Sequence, residues 1–339
     1  MATASTIPIV DFSEWTQASN KERRLKIARQ IVEASKEVGF VYITNHALPD
    51  SVLGEAFEWS RRFFALSPED KLKAPHPEGW AVHRGYSWPG LEKVSQAISD
   101  GNDEELVKKL REVTDFKESY DMGSDDNSDQ PNQWIPEEVL PGFREFMTRF
   151  YWACFGAASE ILRAIAVGIG LEDENHLVRK HSGHNNQLRL LHYPSVPAEA
   201  IESRAMARMP AHTDWSSMTI LFQDDCGGLE VEDLAQPGRF IPATPVKNAI
   251  VMNVGDLLQR WSNDYLRSTN HRVTLPILKD RFEGPDRMTR ERYSIPYFLA
   301  PDPASLIECL PTCVTEENPA KYEPITQRDY NRMRASMQY

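Results

Sequence analysis

The residues best suited to chemistry lie in residues 209–223. His212, Thr213 and Asp214 stand there, directly ahead of the apolar, strand-like run Met218–Gln223. Side chains alternate along an extended chain, so a histidine and a carboxylate separated by one residue can point to the same side. An imidazole and a carboxylate at one spot need one further histidine to make a three-ligand, one-face set. Such a set holds a divalent metal and leaves coordination positions open, which is the non-haem iron arrangement. Alone, His-x-Asp is common and equally describes a turn with a surface aspartate, so the weight falls on the rest of the chain.

His271 is the candidate third ligand. It lies in the strand-like run 268–273, and the 56 residues between Asp214 and His271 leave room for several strands to return the chain to the same barrel mouth. His46, His76, His83, His176, His181 and His184 sit in loops or near helix ends, and none has a carboxylate two residues away in a strand. His192 is in a strand, but its parity is opposite to that of Arg189 and Tyr193, which puts it behind the site or in the core.

A second constellation opens the run Arg292–Leu299. Arg292 and Ser294 share a face of the strand, and an arginine fork with a hydroxyl two residues on receives the far carboxylate of a small diacid. Tyr193 could add a phenolic hydrogen bond from a neighbouring strand. Arg189 has the same parity as Tyr193 and could neutralise an anionic ligand.

The elements that must position these residues divide the chain. Residues 20–38, 51–65 and 137–171 carry apolar residues at spacings of three and four and predict helices, the last being the strongest pattern and a core-facing scaffold. Residues 7–12 and Phe40–Thr44 predict strands. Further strands are predicted at Gln187–Tyr193, Met218–Gln223, 228–231, Ile250–Val254, 269–273 and Arg292–Leu299, separated by Gly, Asp and Pro turns, which suggests a barrel or sandwich. A mostly helical first half followed by a β half is therefore expected. Residues 73–96, with Trp80, Arg84, Tyr86, Trp88 and several Pro and Gly, read as a long loop that is either a lid or an irregular surface segment. Residues 123–133 are polar, turn-rich and expected to be exposed.

In combination these residues resemble a known family. His212-Thr213-Asp214, NVGDLLQRWSN at 253–263, STNHRV at 268–273 and RYSIPYF at 292–298 are similar to the isopenicillin N synthase-like branch of the Fe(II)/2-oxoglutarate dioxygenases. IPIVDF at 7–12, GFVYITNH at 39–46, RGYS at 84–87, DFKESYDMG at 115–123 and TQRDY at 326–330 extend the resemblance over nearly the whole chain. The resemblance implies a mixed α and β fold, with a double-stranded β-helix (jelly-roll) core wrapped by helices mostly from the N-terminal half. It implies one dioxygenase domain over residues 1–339: a largely helical region at 1–180, the jelly-roll with the iron site at 181–300, and a C-terminal segment at 301–339. It implies His212, Asp214 and His271 as iron ligands, Arg292 and Ser294 on the distal carboxylate of 2-oxoglutarate, and Tyr193 as a further contact. Arg189, Trp215, Leu221, Phe298, Arg84 and Tyr86 are candidate pocket walls.

This sequence departs from the pattern in places. Ser216 and Asp264 stand where glycine is usual, as does Ala47, and Leu191 replaces an asparagine found in some members. The 20 residues between His271 and Arg292 exceed those of plant members and resemble fungal members of specialised metabolism. None of these touches the ligand set, and the carboxylate at Asp214 argues against a halogenase.

The expected activity is oxidation of a small organic molecule by hydroxylation, desaturation, ring formation or ring expansion. It uses Fe(II), 2-oxoglutarate and O2, with ascorbate as a supporting reductant, and releases succinate and CO2. The alternatives are an oxidase of the same fold that uses no 2-oxoglutarate, a non-catalytic binding protein, and a protein hydroxylase. A net charge of −12 repels phosphates and argues against a nucleic-acid partner. No uninterrupted apolar run approaches the ~20 residues of a membrane span. The N-terminal residues lack a secretion-signal pattern, and the four cysteines form no zinc or disulfide framework. A cytoplasmic enzyme, monomeric or weakly self-associating, is expected.

Overall fold

Five of the predicted strands form over the residues expected: Phe40–Thr44, Gln187–Tyr193, Met218–Gln223, Ile250–Val254 and Arg292–Leu299. Four of the five contain β-branched residues and four contain aromatic residues, the types that favour strands. The computed structural model describes residues 6–17, 20–78, 82–91, 114–203 and 206–336.

The strands used below are β1 (Ile9–Asp11), β2 (Phe40–Thr44), β3 (Gly85–Ser87), β4 (Glu118–Met122), β5 (Gln187–Tyr193) and β6 (Met209–His212). They continue with β7 (Met218–Gln223), β8 (Leu229–Glu232), β9 (Phe240–Pro242), β10 (Ile250–Val254), β11 (His271–Val273) and β12 (Arg292–Leu299). An eight-stranded sheet has the order β1-β2-β10-β7-β12-β5-β4-β3, and a four-stranded sheet the order β9-β8-β11-β6. Only the β1–β2 pair is parallel within these two sheets.

The first half supplies more strands than expected, β3 and β4 joining the expected β1 and β2. β1 to β4 come from the first half and complete the large sheet. β3 lies inside the stretch expected to be a loop; Trp80 and residues 92–96 of that stretch lie outside the described residues. β4 gives no strand signal because its sequence, ESYDM, is polar yet wholly buried, so it shows no apolar alternation.

Register sorts the large sheet into two faces. Val41, Ile43, Ile220, Phe222, Met252, Ile295 and Tyr297 belong to one buried cluster, shared with Ile27, Ile31, Phe143, Phe150 and Ile161 of the helices. These come from α1 (Lys21–Glu37) and α2 (Phe143–Gly168), which pack on each other. The opposite face supplies Phe40, Tyr42, Leu191, Tyr193 and Val251 to a second cluster, closed by Leu229, Val231, Ile241 and Val273 of the small sheet. The site lies at the polar end of this second interior.

α2 begins at Phe143 rather than near residue 137, because Gly142 takes a left-handed conformation (φ 82°) just before it. By length and composition alone α2 would pass as a membrane span, although Glu160 and Arg163 interrupt its apolar run. Yet 61% of its most apolar stretch is buried inside the protein, which marks a core helix. α1 ends at Gly39, whose φ of +77° suits glycine. A Cβ there would also lie 2.3 Å from Thr269 Oγ1 and 2.4 Å from the Arg267 carbonyl, so this glycine lets the chain leading to His271 run close by.

Candidate active site

His212 ends β6 and His271 begins β11. The two are register partners across the antiparallel pair, with ring centroids 4.3 Å apart. Asp214 sits in the turn after β6. Its Oδ1 lies 3.9 Å from His212 Nε2 and 3.7 Å from His271 Nε2. The three ligand-capable atoms fall within 4.8 Å of one another, the one such His/Cys/Asp/Glu group among the described residues.

The atoms behind the three groups fix how they point. His212 Nδ1 is 2.9 Å from the Pro210 carbonyl and His271 Nδ1 is 3.2 Å from the Thr269 carbonyl. A carbonyl only accepts, so each ring carries its proton on Nδ1 and turns a bare Nε2 lone pair to the centre. Asp214 Oδ2 accepts from Thr219 Oγ1 at 2.6 Å and Asn253 Nδ2 at 2.8 Å, which leaves Oδ1 facing the imidazoles. Burial, aided by the neighbouring His271, pushes the His212 imidazole down to about 4, so it is neutral near pH 7. Burial opposes charge on Asp214 as well, but the two histidines and the Thr219 and Asn253 donors outweigh it and hold the carboxyl below its usual range. Phe40 packs edge-on against His271, 5.3 Å between centroids, and covers its apolar side.

The turn carrying Asp214 is clamped by the segment after β10. Asp256 N–H donates to the Asp214 carbonyl at 2.7 Å, and Gly255 N–H to the Ser217 carbonyl at 2.9 Å. A Cβ on residue 255 would lie 2.0 Å from the Ser216 carbonyl, so only glycine permits this approach. Two of the departures from the family pattern have an account. Ser216 is absent from the positive-φ residues, and Asp264 holds a φ of +62°, which Asp adopts more readily than most residues. The Asp264 carboxylate is also tied to Tyr322 and Lys321.

A second buried group, on β12, β7 and β5 of the large sheet, centres on a cation. Arg292 is 1% exposed. Its Nη1 donates to Ser294 Oγ at 2.9 Å and its Nη2 to Gln223 Oε1 at 3.3 Å, while its Nε has no partner. Tyr193 is its register partner on β5, and the guanidinium carbon stands 5.1 Å from that ring. This group therefore offers a buried, desolvated cation beside the Ser294 hydroxyl and the Tyr193 ring.

Residues 184–301 match the family described as the 2OG-Fe(II) oxygenase superfamily, and residues 7–137 that described as non-haem dioxygenase in morphine synthesis N-terminal. The 2-oxoglutarate-dependent dioxygenase htyE of Aspergillus rugulosus is 38% identical over 335 residues, covering 98% of this chain and 99% of that protein. The chain belongs to the 2OG-Fe(II) oxygenase superfamily. The proline hydroxylase buaE of Petromyces alliaceus is 41% identical, covering 94% of this chain and 95% of that one. The crystal structure of a full-length Neurospora crassa protein in complex with α-ketoglutarate and thymine superposes with a TM-score of 0.84 at 37% identity, covering 98% and 97% of the two chains. This oxygenase is thus a 2-oxoglutarate-dependent dioxygenase that uses Fe(II), 2-oxoglutarate and O2 and oxidises a small molecule. The mixed α and β fold agrees with these neighbours, and the alternatives of a 2-oxoglutarate-independent oxidase and a non-catalytic binder fall away.

The oxygenase places the expected pocket walls unevenly. Leu221 is register partner of Pro296 and Val251, and Phe298 of Thr219, which holds Asp214; both lie on the face that bears the site. Trp215 follows Asp214 and lies under Arg334, 5.4 Å from ring to guanidinium. Arg189 is on the same face but gripped by Asp121, Nε to Oδ1 at 2.6 Å and Nη2 to Oδ2 at 2.9 Å. Arg84 is buried against the backbone of Gly123 and donates to the His83 carbonyl. Tyr86 is not brought to the site. It lies on the helix-packed face, and its hydroxyl donates to Glu118 at 2.6 Å. His192 also meets Glu118 there, Nδ1 to Oε1 at 2.7 Å.

Thr219, Asn253, Gln223 and Arg208 carry site geometry that the sequence reading does not single out. The signal for the first three is parity: Thr219 and Gln223 alternate along β7 with Leu221, and Asn253 is the polar residue of an otherwise apolar strand. Arg208 stands just ahead of β6, four residues before His212, and is fully buried.

Proposed function

We propose that His212, Asp214 and His271 hold the Fe(II), that Arg292 and Ser294 with Tyr193 receive the distal carboxylate of 2-oxoglutarate, and that the substrate is a small specialised metabolite. The observation that carries this reading is the pair of Nε2 lone pairs turned to one carboxylate oxygen, with both Nδ1 protons committed to carbonyls. Two neutral imidazoles and one carboxylate, buried together, suit a divalent first-row metal with open positions. The large and small sheets then form the two layers of a jelly-roll, and residues 1–339 one domain. A soluble, cytoplasmic monomer or weak oligomer completes the reading.

Bound there, the Fe(II) would activate O2 and couple loss of CO2 from 2-oxoglutarate to oxidation of the substrate. The chain's own part is orientation and exclusion of water. Thr219 and Asn253 hold the Asp214 carboxylate, and the Pro210 and Thr269 carbonyls hold the ring tautomers. Arg292 fixes one end of the co-substrate by a charge-assisted fork. Leu221, Phe298 and Trp215 are proposed walls of a dry pocket, with Arg189 and Arg84 at its polar edge. The proline hydroxylase and the thymine-bound structure among the relatives support a small nitrogen-containing ring as substrate.

The test is an anaerobic titration of the metal-free protein with Fe(II) and then 2-oxoglutarate, followed by visible absorption. The expected result is a charge-transfer band that is lost in His271→Ala and Arg292→Ala. Iron binding with an unchanged band in Arg292→Ala would overturn the assignment of the carboxylate pocket. An unchanged band in His271→Ala would overturn that of the ligands.

A further inference from the structure

Arg292 is not the only buried cation at the co-substrate end. Arg208 is likewise 1% exposed. Its Nη1 points to the Cys226 sulfur at 3.9 Å and its Nη2 donates to the Arg290 carbonyl at 3.1 Å, while its Nε has no partner. Its guanidinium carbon is 5.9 Å from the centre of the Tyr193 ring, the ring that Arg292 meets at 5.1 Å. Both guanidiniums thus sit against one phenol. Burial and the neighbouring Arg292 both push the Arg208 guanidinium below its usual range.

Among the described residues neither arginine has a carboxylate partner. The partners are a thiol, a carbonyl, a hydroxyl and an amide. Two desolvated positive charges near each other with no counter-ion are costly. By contrast Arg189, on the same sheet, is neutralised by Asp121 through two hydrogen bonds. Arg208 and Arg292 thus share one aromatic ring with no carboxylate hydrogen-bonded to either, at the place where a carboxylate is proposed to sit. An anion there relieves both, because interactions in a buried site are weakly screened.

We propose that Arg208 is the second cation of this pocket. It is a positioning and specificity residue that, with Arg292 and through the Tyr193 ring, makes the site prefer a dicarboxylic 2-oxo acid over a monocarboxylic one. A dianion places one charge at the metal and one between the arginines, whereas a monoanion leaves the arginine pair unrelieved. This rests on the assignment of Arg292 and Ser294 to the distal carboxylate.

The experiment is calorimetric binding to the Mn(II)-loaded full chain, with 2-oxoglutarate and 2-oxobutanoate as probes, for the unaltered protein, Arg208→Gln, Arg208→Lys and Arg292→Gln. Arg208→Gln is expected to lose about tenfold in affinity for 2-oxoglutarate and little for 2-oxobutanoate, with Arg208→Lys restoring most of the loss. Equal loss for both acids would mark a structural role and overturn the proposal. An Arg208→Gln protein that keeps its preference while Arg292→Gln loses it would overturn the proposal alone. If Arg292→Gln also keeps it, the pocket assignment itself fails, and the role of Arg208 with it.

Discussion

Arg334, in the C-terminal helix Gln327–Ser336, lies 2.8 Å from Asp256 Oδ2, and the same oxygen accepts the Thr213 hydroxyl at 3.0 Å. Thr213 stands between the two candidate ligands His212 and Asp214, so the C-terminal helix is tied to the candidate metal centre through one carboxylate. Burial raises the Asp256 carboxyl and Arg334 counteracts it. Removing the arginine leaves that carboxylate buried and half-satisfied. Arg334→Ala is expected to weaken metal binding about fivefold, the scale of one partly buried ion pair acting at a distance. Mn(II) titration checks this, and an unchanged affinity with a lowered melting temperature would assign the contact to stability alone.

The donors to Asp214 act more directly. Asn253→Leu and Thr219→Val each remove one hydrogen bond from Oδ2 and free the carboxylate to turn away from the imidazoles. Each should cost roughly ten- to a hundredfold in metal affinity. The far-ultraviolet spectrum should be unaltered, since Thr→Val keeps the shape. The double variant should be less than additive, because both bonds hold the same oxygen.

Much of this arrangement is legible in the amino-acid sequence alone. The five strands found at their expected bounds have largely apolar sequences, four of them with β-branched residues, and that pattern is a local signal. So is the His212-Thr213-Asp214 triplet. What stays hidden depends on partners far away. Glu118 looks like a surface residue in ESYDM, yet it is buried because Lys71, Tyr86 and His192 all point to it. Tyr86 reads as a pocket wall because it falls in a long aromatic loop, but that part of the chain is a strand whose parity turns it to the helices. Arg189 reads as a free cation because Asp121, its partner, is 68 residues away.

Gly255 is the tightest point of the site. A methyl group there would lie 2.0 Å from the Ser216 carbonyl, and backbone cannot yield as a side-chain tip can. Gly255→Ala should displace the Asp214 turn and cost about 3 kcal/mol or more, at the severe end of single substitutions. Chemical denaturation measures the loss, and a ligand-bound crystal structure would show the shifted turn. A change below about 1 kcal/mol, within the ordinary range, would mean that the two segments separate easily.

Arg292→Lys separates charge from geometry. A lysine keeps the cation but loses the fork that spans Ser294 and Gln223. The KM for 2-oxoglutarate is expected to rise about tenfold, equivalent to one charge-assisted hydrogen bond, with kcat little changed, because the proposed pose puts only the distal carboxylate at Arg292. A fall in kcat with KM unaltered would place Arg292 in the chemical step instead.

The pH dependence of stability has an identifiable source behind the site. His181 is fully buried, its Nδ1 2.8 Å from the Leu177 carbonyl and its Nε2 3.1 Å from Ser217 Oγ. The Ser217 carbonyl in turn accepts the Gly255 N–H that clamps the Asp214 turn. Burial lowers the His181 pKa to about 4, only partly offset by the Leu177 carbonyl and Asp302. Below its ordinary value of about 6.5 the unfolded chain binds a proton that the folded chain refuses. Stability from this group is therefore complete above about pH 6.5 and falls as the pH drops to about 4, by up to about 3 kcal/mol. His181→Gln keeps a hydrogen-bonding side chain but cannot titrate. Its stability at neutral pH should be lower than that of the unaltered protein, and its slope between pH 6.5 and 4 shallower, both read from denaturation midpoints. Equal slopes in the two proteins would assign the acid sensitivity to other groups, with His212 the next to test, since burial holds it down to about 4 as well.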